Sequence, residues 1–219
     1  MRKGIAALVP VLLLSHFVLA QPQNEMEKSD RLFFKSLVAS KDQRELILEQ
    51  AKDALKKAEA ERAKPAEIYA RLARIDGQIA LYKSGKEKIR MAHAIKENAE
   101  RALALDSDNA IANLVLGVWY YELAGVNGLE RIFAKIFYGE VPQGDYGTSL
   151  GYFEKAVRLR PDVVYFHLAL GKTLAKLHKV SAAREELQKA IDLSVQEEID
   201  LAYKQEAEKL LNKLHTSQD

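Results

Sequence analysis

The sequence predicts an all-α protein, a tetratricopeptide-like solenoid of helix hairpins closed by a C-terminal capping helix. Three copies of one short pattern carry this prediction: AERALALDSD, FEKAVRLRPD and LQKAIDLSVQ. Their central alanines are Ala102, Ala156 and Ala190, and the last two are 34 residues apart, which is the tetratricopeptide period. The first two are 54 residues apart, so one repeat contains an insertion of about 20 residues. The composition, rich in alanine, leucine, glutamate and lysine with five prolines in 219 residues, is typical of helical proteins.

The N-terminal part of the helical region follows from its apolar spacing and its helix breakers. Residues 21–40 form a polar lead-in around a small apolar patch, which we expect to pack as a short helix over the first hairpin. Ser40 and Gln43 match a capping box, which predicts the start of a long helix. Pro65 ends that helix and suits the first turn of the next one. The helical domain is therefore predicted to span residues 41–214.

Turn residues divide the rest of the domain. Glycines and prolines are concentrated in residues 125–147, which predicts an inserted segment within the middle repeat. Ser194 and Glu197 match a second capping box, which predicts the start of the capping helix; this helix ends near Leu214 and a tail follows at 215–219. The remaining helices are predicted over residues 66–83, 87–105, 110–124, 148–160, 163–177 and 181–193.

The residues of the tetratricopeptide signature map onto the middle repeat. Leu116, Gly117 and Tyr120 supply its first helix, and Phe153 supplies its second helix beyond the insertion. Small residues let the two helices of a hairpin approach closely, while leucine and aromatic residues fill the space between hairpins. His167 stands where the next repeat is expected to have an aromatic residue. The other signature residues of that repeat are Leu170, Gly171, Ala183, Leu187 and Ala190.

A more specific resemblance lies in the stretches LVLGVWYYELAG and LERIFAKIFYGEVPQGDYGTSLGYFEKAVRLRPD. Over about residues 66–193 the chain resembles the tetratricopeptide-like domain of the regulator of microtubule dynamics family, which has a similar insertion between the helices of one repeat. The resemblance implies a binding scaffold. Members of that family are associated with microtubules and partly with phospholipid binding at membrane contacts, so an apolar ligand is a second implication.

The N-terminus has the build of a secretory signal peptide. Arg2 and Lys3 precede an apolar run over residues 4–20, and the small residues Val18 and Ala20 favour cleavage after residue 20. The alternative is an uncleaved membrane anchor formed by the same run. Because the chain has no cysteine, export without disulfides indicates a periplasmic protein, or a secreted one. An exported protein would not meet tubulin.

Charge and motifs argue against several function classes. The chain has 33 lysines and arginines and 31 acidic residues, and without Arg2 and Lys3 the counts are 31 and 31. A neutral body does not indicate binding to nucleic acid or to an anionic membrane. The sequence also has no zinc-binding His-Glu-x-x-His pair, no phosphate-binding loop and no Gly-x-Ser-x-Gly elbow. We therefore expect no catalytic site, no metal site and no cofactor.

The repeat register predicts a binding groove on the first helices of the repeats. Its apolar character favours a hydrophobic peptide segment or an acyl chain over an acidic tail. The alternative is that the insertion or the N-terminal patch covers these residues and makes them part of the core. The predicted groove residues are Ile111, Leu114, Val118, Tyr121, Tyr165, Leu168, Lys172 and Arg74.

The insertion contains a second apolar face. Its helical stripe predicts a lid over the groove or a contact with a partner, since glycines flank it. The alternative is a short helix packed permanently on its neighbours. The residues of this face are Leu129, Ile132, Phe133, Ile136 and Phe137.

Together these observations predict a non-enzymatic periplasmic adaptor that binds an unidentified protein or peptide in a concave apolar groove. The alternative function is a carrier of a lipid or another small apolar ligand in a lidded helical cavity. The mature body is not expected to span a membrane.

Overall fold

The structure, a computed structural model, describes residues 24–139 and 141–216, and all of its regular elements there are α-helices. The predicted all-α class is therefore confirmed for the described residues. The leader at residues 1–20, whether cleaved or retained, and residues 217–219 of the predicted tail lie outside them. The helices are α1 Glu25–Val38, α2 Lys41–Ala60, α3 Pro65–Ala80, α4 Gly85–Leu105, α5 Ala110–Ala124, α6 Gly128–Tyr138, α7 Tyr146–Leu159, α8 Val164–Lys176, α9 Val180–Asp192 and α10 Asp200–Thr216.

The helices pack as pairs that stack along one direction. The pairs are α1 with α2, α3 with α4, α5 with α7, and α8 with α9, while α10 packs on both helices of the last pair. Among the described residues, the first helices of the second to fourth pairs and the last helix contact one another in the order α3, α5, α8, α10, whereas the second helices make no comparable contacts among themselves. The stack therefore curves towards its first helices, which line the concave face.

Local sequence accounts for several helix starts. Pro65 is the first residue of α3, where its missing N–H costs nothing. Asn109 caps α5, because its Oδ1 accepts a hydrogen bond of 2.9 Å from the backbone N–H of Ala112. Asp145 caps α7 in the same way, with a distance of 2.6 Å to the backbone nitrogen of Thr148. These three residues fix where the pairs turn.

Small residues permit the helices of a pair to approach closely, as the repeat signature predicts. A Cβ atom built on Gly117 would lie 2.6 Å from the ring of Phe153, and one built on Gly171 would lie 2.8 Å from Leu187 Cγ. Both glycines therefore face the second helix of their own pair. The three alanines that define the repeat, Ala102, Ala156 and Ala190, are fully buried.

The N-terminal pair differs from the expectation. Helix α1 does not lie over a first hairpin as an extra helix; it is the first member of a pair with α2. Phe33 explains this arrangement, because its buried ring joins Leu48 and Leu55 of α2 in one core cluster. The described chain thus has one helix pair more than the repeat signature reveals.

The start of the last helix is also corrected. Ser194 and Glu197 do not open a helix; α10 begins at Asp200, six residues after the predicted cap. The carboxylate of Asp200 accepts hydrogen bonds from the backbone N–H groups of Gln196 and Glu197, at 2.9 and 3.0 Å. These bonds hold the preceding segment as a turn and not as a first helical turn.

The insertion leaves the pair α5 and α7 intact. Helix α6 contacts α4, and the chain returns along the end of α5. Arg131 fastens this return, because its guanidinium donates to the carbonyl oxygens of Leu123 and Pro142, both at 2.8 Å. At Gly144 a Cβ atom would lie 2.2 Å from the backbone nitrogen of Ala124, so only glycine permits this backbone contact. None of the helices in the described ranges has an apolar stretch long enough to cross a bilayer.

Candidate functional site

The predicted groove residues of α5 and α8 lie on or under the concave face. Five of them are partly exposed, whereas Leu114 is 8% exposed and Leu168 is fully buried. Leu114 packs with Phe153 and Phe166, and Leu168 packs with Leu187 and Ala207. These two leucines therefore belong to the core between the helices, and a ligand on the face would not touch them. The partly exposed residues are Ile111, Val118, Tyr121, Tyr165 and Lys172.

Arg74 lies at the N-terminal end of the concave face, where α1 covers it. Its guanidinium is 4.0 Å from the centre of the Phe33 ring and donates to the carboxylate of Asp30. Arg71 binds the same carboxylate through two donors, with Nε to Oδ1 at 3.0 Å and Nη2 to Oδ2 at 2.8 Å. Arg74, which the repeat register places on the groove, is thus bound by helix α1 of the same chain.

The charges of this end form one network. Burial alone would raise the pKa of Asp30, but Arg74 and Arg71 outweigh it and hold the pKa below its ordinary 3.8. Glu67 accepts from Arg71 and also from Asn109 Nδ2 at 3.0 Å, so the network joins α1, α3 and α5. Glu67 and Arg71 are a local i,i+4 pair, whereas Asp30 and Asn109 are each more than 40 residues from their partners on α3, and no local pattern in the sequence could have paired them.

The other end of the concave face holds four tyrosines, which we call the tyrosine cluster: Tyr121, Tyr146, Tyr165 and Tyr203. The rings of Tyr165 and Tyr203 have centres 4.7 Å apart, and those of Tyr121 and Tyr146 are 5.3 Å apart and nearly perpendicular. Tyr121 and Tyr165 both pack on the core cluster that joins α5 to α8. The cluster therefore draws on α5, α7, α8 and α10.

The hydroxyl groups of Tyr121, Tyr165 and Tyr203 keep their protons at neutral pH. Burial, Tyr146 and nearby carboxylates raise the pKa of Tyr121 to about 12. Burial and the carboxylate of Asp200 raise the pKa of Tyr203 to about 12, and burial likewise raises the pKa of Tyr165. Each hydroxyl can therefore donate one hydrogen bond to a ligand and accept others.

Charged groups border the tyrosine cluster. Lys172 Nζ forms an ion pair with Glu206 Oε1 at 2.7 Å, which ties α8 to α10. Glu122 is exposed at the end of α5, and its carboxylate helps to raise the pKa of both Tyr121 and Tyr165. The repeat register places Lys172, Tyr121 and Tyr165 on the groove. It does not predict that Tyr203 and Glu206 of α10 join them.

The insertion face lies elsewhere. Ile132 and Ile136 on α6 are 57% and 69% exposed, and the ring of Tyr138 comes within 3.3 Å of the position of a Cβ atom on Gly85. Because the described residues of α6 contact α4, this helix does not cover Tyr165 or Lys172. The side chains of the other three residues of this face, Leu129, Phe133 and Phe137, lie outside the described part.

Two shallow depressions of the surface lie away from the predicted groove. The larger, of about 400 Å³, lies where α4, α5 and α7 meet and includes Leu103, Asn113 and Tyr152. The smaller, of about 280 Å³, lies at the turn between α2 and α3. Neither is lined by a predicted groove residue.

His167 fills its unusual position with two hydrogen bonds. Its Nδ1 is 2.7 Å from Glu186 Oε2 and its Nε2 is 2.9 Å from the carbonyl oxygen of Pro161, so both ring nitrogens face acceptors. Burial would lower the pKa of His167, but Glu186 and the Pro161 carbonyl outweigh it and raise the pKa above 6.5. This histidine ties α8 to α9 and lies within the core, not in a ligand site.

Comparisons with known proteins agree with this architecture. Regulator of microtubule dynamics protein 1 of Bos taurus is 34% identical over 165 residues, which cover 75% of this chain and 51% of that protein. The Homo sapiens protein of the same name is 35% identical over 131 residues, which cover 59% and 42% of the two chains. The chain therefore spans about half the length, or less, of these relatives.

A solved structure shows the fold. The crystal structure of a thermophilic TPR protein from Thermus thermophilus matches with a TM-score of 0.51, covering 87% of this chain and 82% of that one at 19% identity. The model of the family described as regulator of microtubule dynamics protein 1-3 matches residues 29–215. This match covers most of the chain and agrees with its stack of helix pairs. The chain is therefore a member of the regulator of microtubule dynamics family.

Proposed function

We propose that this protein is a non-enzymatic periplasmic adaptor that holds a segment of a partner polypeptide on its concave face, between α5, α8 and α10. The observation that carries the proposal is the set of partly exposed residues on that face: Ile111, Val118, Tyr121, Tyr165 and Lys172. Apolar side chains beside hydroxyl groups suit a peptide, which presents both side chains and backbone polar groups. Stacks of helix pairs commonly bind their partners on this side.

The location of the protein is part of the proposal. The leader pattern of residues 1–20 supports export, and the absence of cysteine is compatible with the periplasm. The relatives are named for the regulation of microtubule dynamics. Since an exported chain would not meet tubulin, we propose that the scaffold is shared and the microtubule role is not.

A second candidate function is the carriage of a lipid or another small apolar ligand. Two exposed isoleucines of α6, Ile132 and Ile136, favour this function. A surface helix with exposed apolar side chains can bind at the interface of a lipid bilayer. The partly exposed Ile111 and Val118 would then contact an acyl chain.

Native purification from the cell envelope, followed by mass spectrometry of proteins and lipids, separates the two functions. We expect a co-purified protein that is lost in the double variant Ile111→Ser with Val118→Ser. The matched control is Leu46→Ser with Leu105→Ser, which changes two exposed leucines on the second helices α2 and α4, away from the predicted groove. A bound lipid without a protein partner would support the carrier instead. N-terminal sequencing of the mature protein tests export, with residue 21 as the expected start.

A further inference from the structure

The tyrosine cluster lies among more negative than positive side chains. Glu206 is neutralised by Lys172, whereas Glu122 forms no ion pair with any residue of the described part of the chain. Asp200 adds a third carboxylate beside Tyr203, although its own oxygen atoms accept two backbone hydrogen bonds. A ligand at the cluster therefore meets one unpaired carboxylate.

The aromatic rings act in the same direction as the carboxylates. The face of a tyrosine ring carries negative charge and attracts a cation within about 6 Å, with a preference for an arginine or ammonium group. The ring planes of Tyr165 and Tyr203 are tilted by 39° with their centres 4.7 Å apart. Tyr121, on the neighbouring helix α5, packs on the same core cluster as Tyr165. Several tyrosine rings beside a carboxylate are suitable surroundings for a cationic group.

Other ligand chemistries fit less well. An acidic side chain would be repelled by Glu122 and would find Lys172 already paired. A purely apolar side chain would offer no hydrogen-bond partner to the hydroxyl groups of Tyr121 and Tyr165, two residues that are partly exposed. A guanidinium group satisfies the rings, the carboxylate and the hydroxyl oxygens together, because it is flat and carries five donors.

We propose that the tyrosine cluster is a recognition site for a positively charged side chain, an arginine or a lysine, of the polypeptide held on the concave face. The inference rests on the proposed adaptor function and adds the chemistry of the partner. Tyr121, Tyr165 and Tyr203 supply the walls, and Glu122 supplies the counter-charge.

Nuclear magnetic resonance of the mature full chain with ¹³C-labelled tyrosine tests the site. The probes are short alanine and valine peptides with one central arginine, glutamine or glutamate. We expect the arginine peptide to shift the resonances of Tyr121, Tyr165 and Tyr203 and to bind about tenfold more tightly than the glutamine peptide. Glu122→Gln removes that preference, whereas Glu154→Gln on the exposed face of α7 leaves it unchanged.

The possible results separate this site from the adaptor function. Equal affinity for the arginine and glutamine peptides, lost in the Ile111→Ser and Val118→Ser variant, would overturn the cation site and keep the adaptor. Tyrosine shifts from no peptide would also overturn it, and the envelope purification would then decide the adaptor function alone. Shifts produced by dodecylphosphocholine but by no peptide would overturn it in favour of a lipid headgroup.

Discussion

Gly117 and Phe153 set the distance between α5 and α7, because the aromatic ring occupies the space where any larger residue would place its Cβ atom. The distance from the ideal Cβ position of Gly117 to two carbons of the Phe153 ring is 2.6 Å, far less than a van der Waals contact. The hydroxyl group of Ser149 also donates to the Gly117 carbonyl oxygen at 2.8 Å, so the close approach adds a buried hydrogen bond. This contact holds together the pair that the insertion separates along the chain.

Replacement of Gly117 by alanine is therefore expected to destabilise the protein. Overpacking of this kind costs about 2 kcal/mol, because the ring of Phe153 and the backbone must move. Urea unfolding followed by circular dichroism measures the loss. The matched control is Gly77→Ala, where nothing lies within 4 Å of the new methyl group and the helix of α3 gains about 0.5 kcal/mol. Equal stability of the two variants would contradict this account.

Gly144→Ala tests how the insertion returns to the stack. The new methyl group would lie 2.2 Å from the Ala124 nitrogen and 2.3 Å from the Tyr120 carbonyl oxygen, and neither backbone atom can rotate away. We expect residues 128–144 to be displaced, which hydrogen exchange measured by mass spectrometry would show as faster exchange in α6. Gly128→Ala is the control, since that position has open space around it. Unchanged exchange in Gly144→Ala would refute the contact.

Asp30→Asn is expected to release α1 from α3. The substitution leaves the guanidinium groups of Arg71 and Arg74 without their shared carboxylate, and breaking a mostly buried ion pair costs about 3 kcal/mol. Hydrogen exchange in α1 and urea unfolding measure the effect. Asp53→Asn removes the exposed ion pair with Lys56 and serves as a control that leaves both readouts unchanged.

The carboxylate of Asp30 also predicts that the stability of the protein falls at acidic pH. Since the folded pKa of Asp30 lies below its ordinary 3.8, its stabilising contribution is complete above that value and is lost as the pH falls through the lower folded pKa. The Asp30→Asn variant is expected to lose less stability than the parent protein over this range. An identical acid transition in both proteins would argue against the network.

His167 predicts a pH dependence of the opposite sign. Its folded pKa is raised above 6.5, so its ion pair with Glu186 contributes fully below that value and is lost as the pH rises through the folded pKa. Urea unfolding between about pH 5.5 and about pH 8.5 is expected to show falling stability that His167→Gln lacks. His93→Gln, at an exposed position of α4, is the control and keeps the slope.

Much of the fold could be predicted because its determinants are local or periodic. Pro65 and Asn109 act within one helical turn. Ala156 and Ala190 are one 34-residue period apart, and Ala102 precedes Ala156 by one period plus the insertion. The sequence alone therefore locates the three pairs from α3 to α9. The start of α10 was predicted wrongly at Ser194, because a capping box competes there with the carboxylate of Asp200.

The candidate site was less predictable because its partners come from distant parts of the chain. The repeat register places Leu168 on the correct helix, but it contains no information that Leu187 and Ala207 bury it. Tyr203 completes the tyrosine cluster from α10 and Glu206 pairs with Lys172 from the same helix, each more than 30 residues after its partner on α8. Contacts of this length depend on how the last helix docks, which composition and spacing do not specify.

The insertion has a practical use that follows from its geometry. Because α5 and α7 pack directly against each other, the excursion through α6 begins and ends beside the same helix pair. A fluorescent group or an affinity tag attached at the exposed Ile136 would therefore report on the protein without entering the stack. The same arrangement would allow this excursion to be lengthened or shortened without a change in how the helix pairs stack.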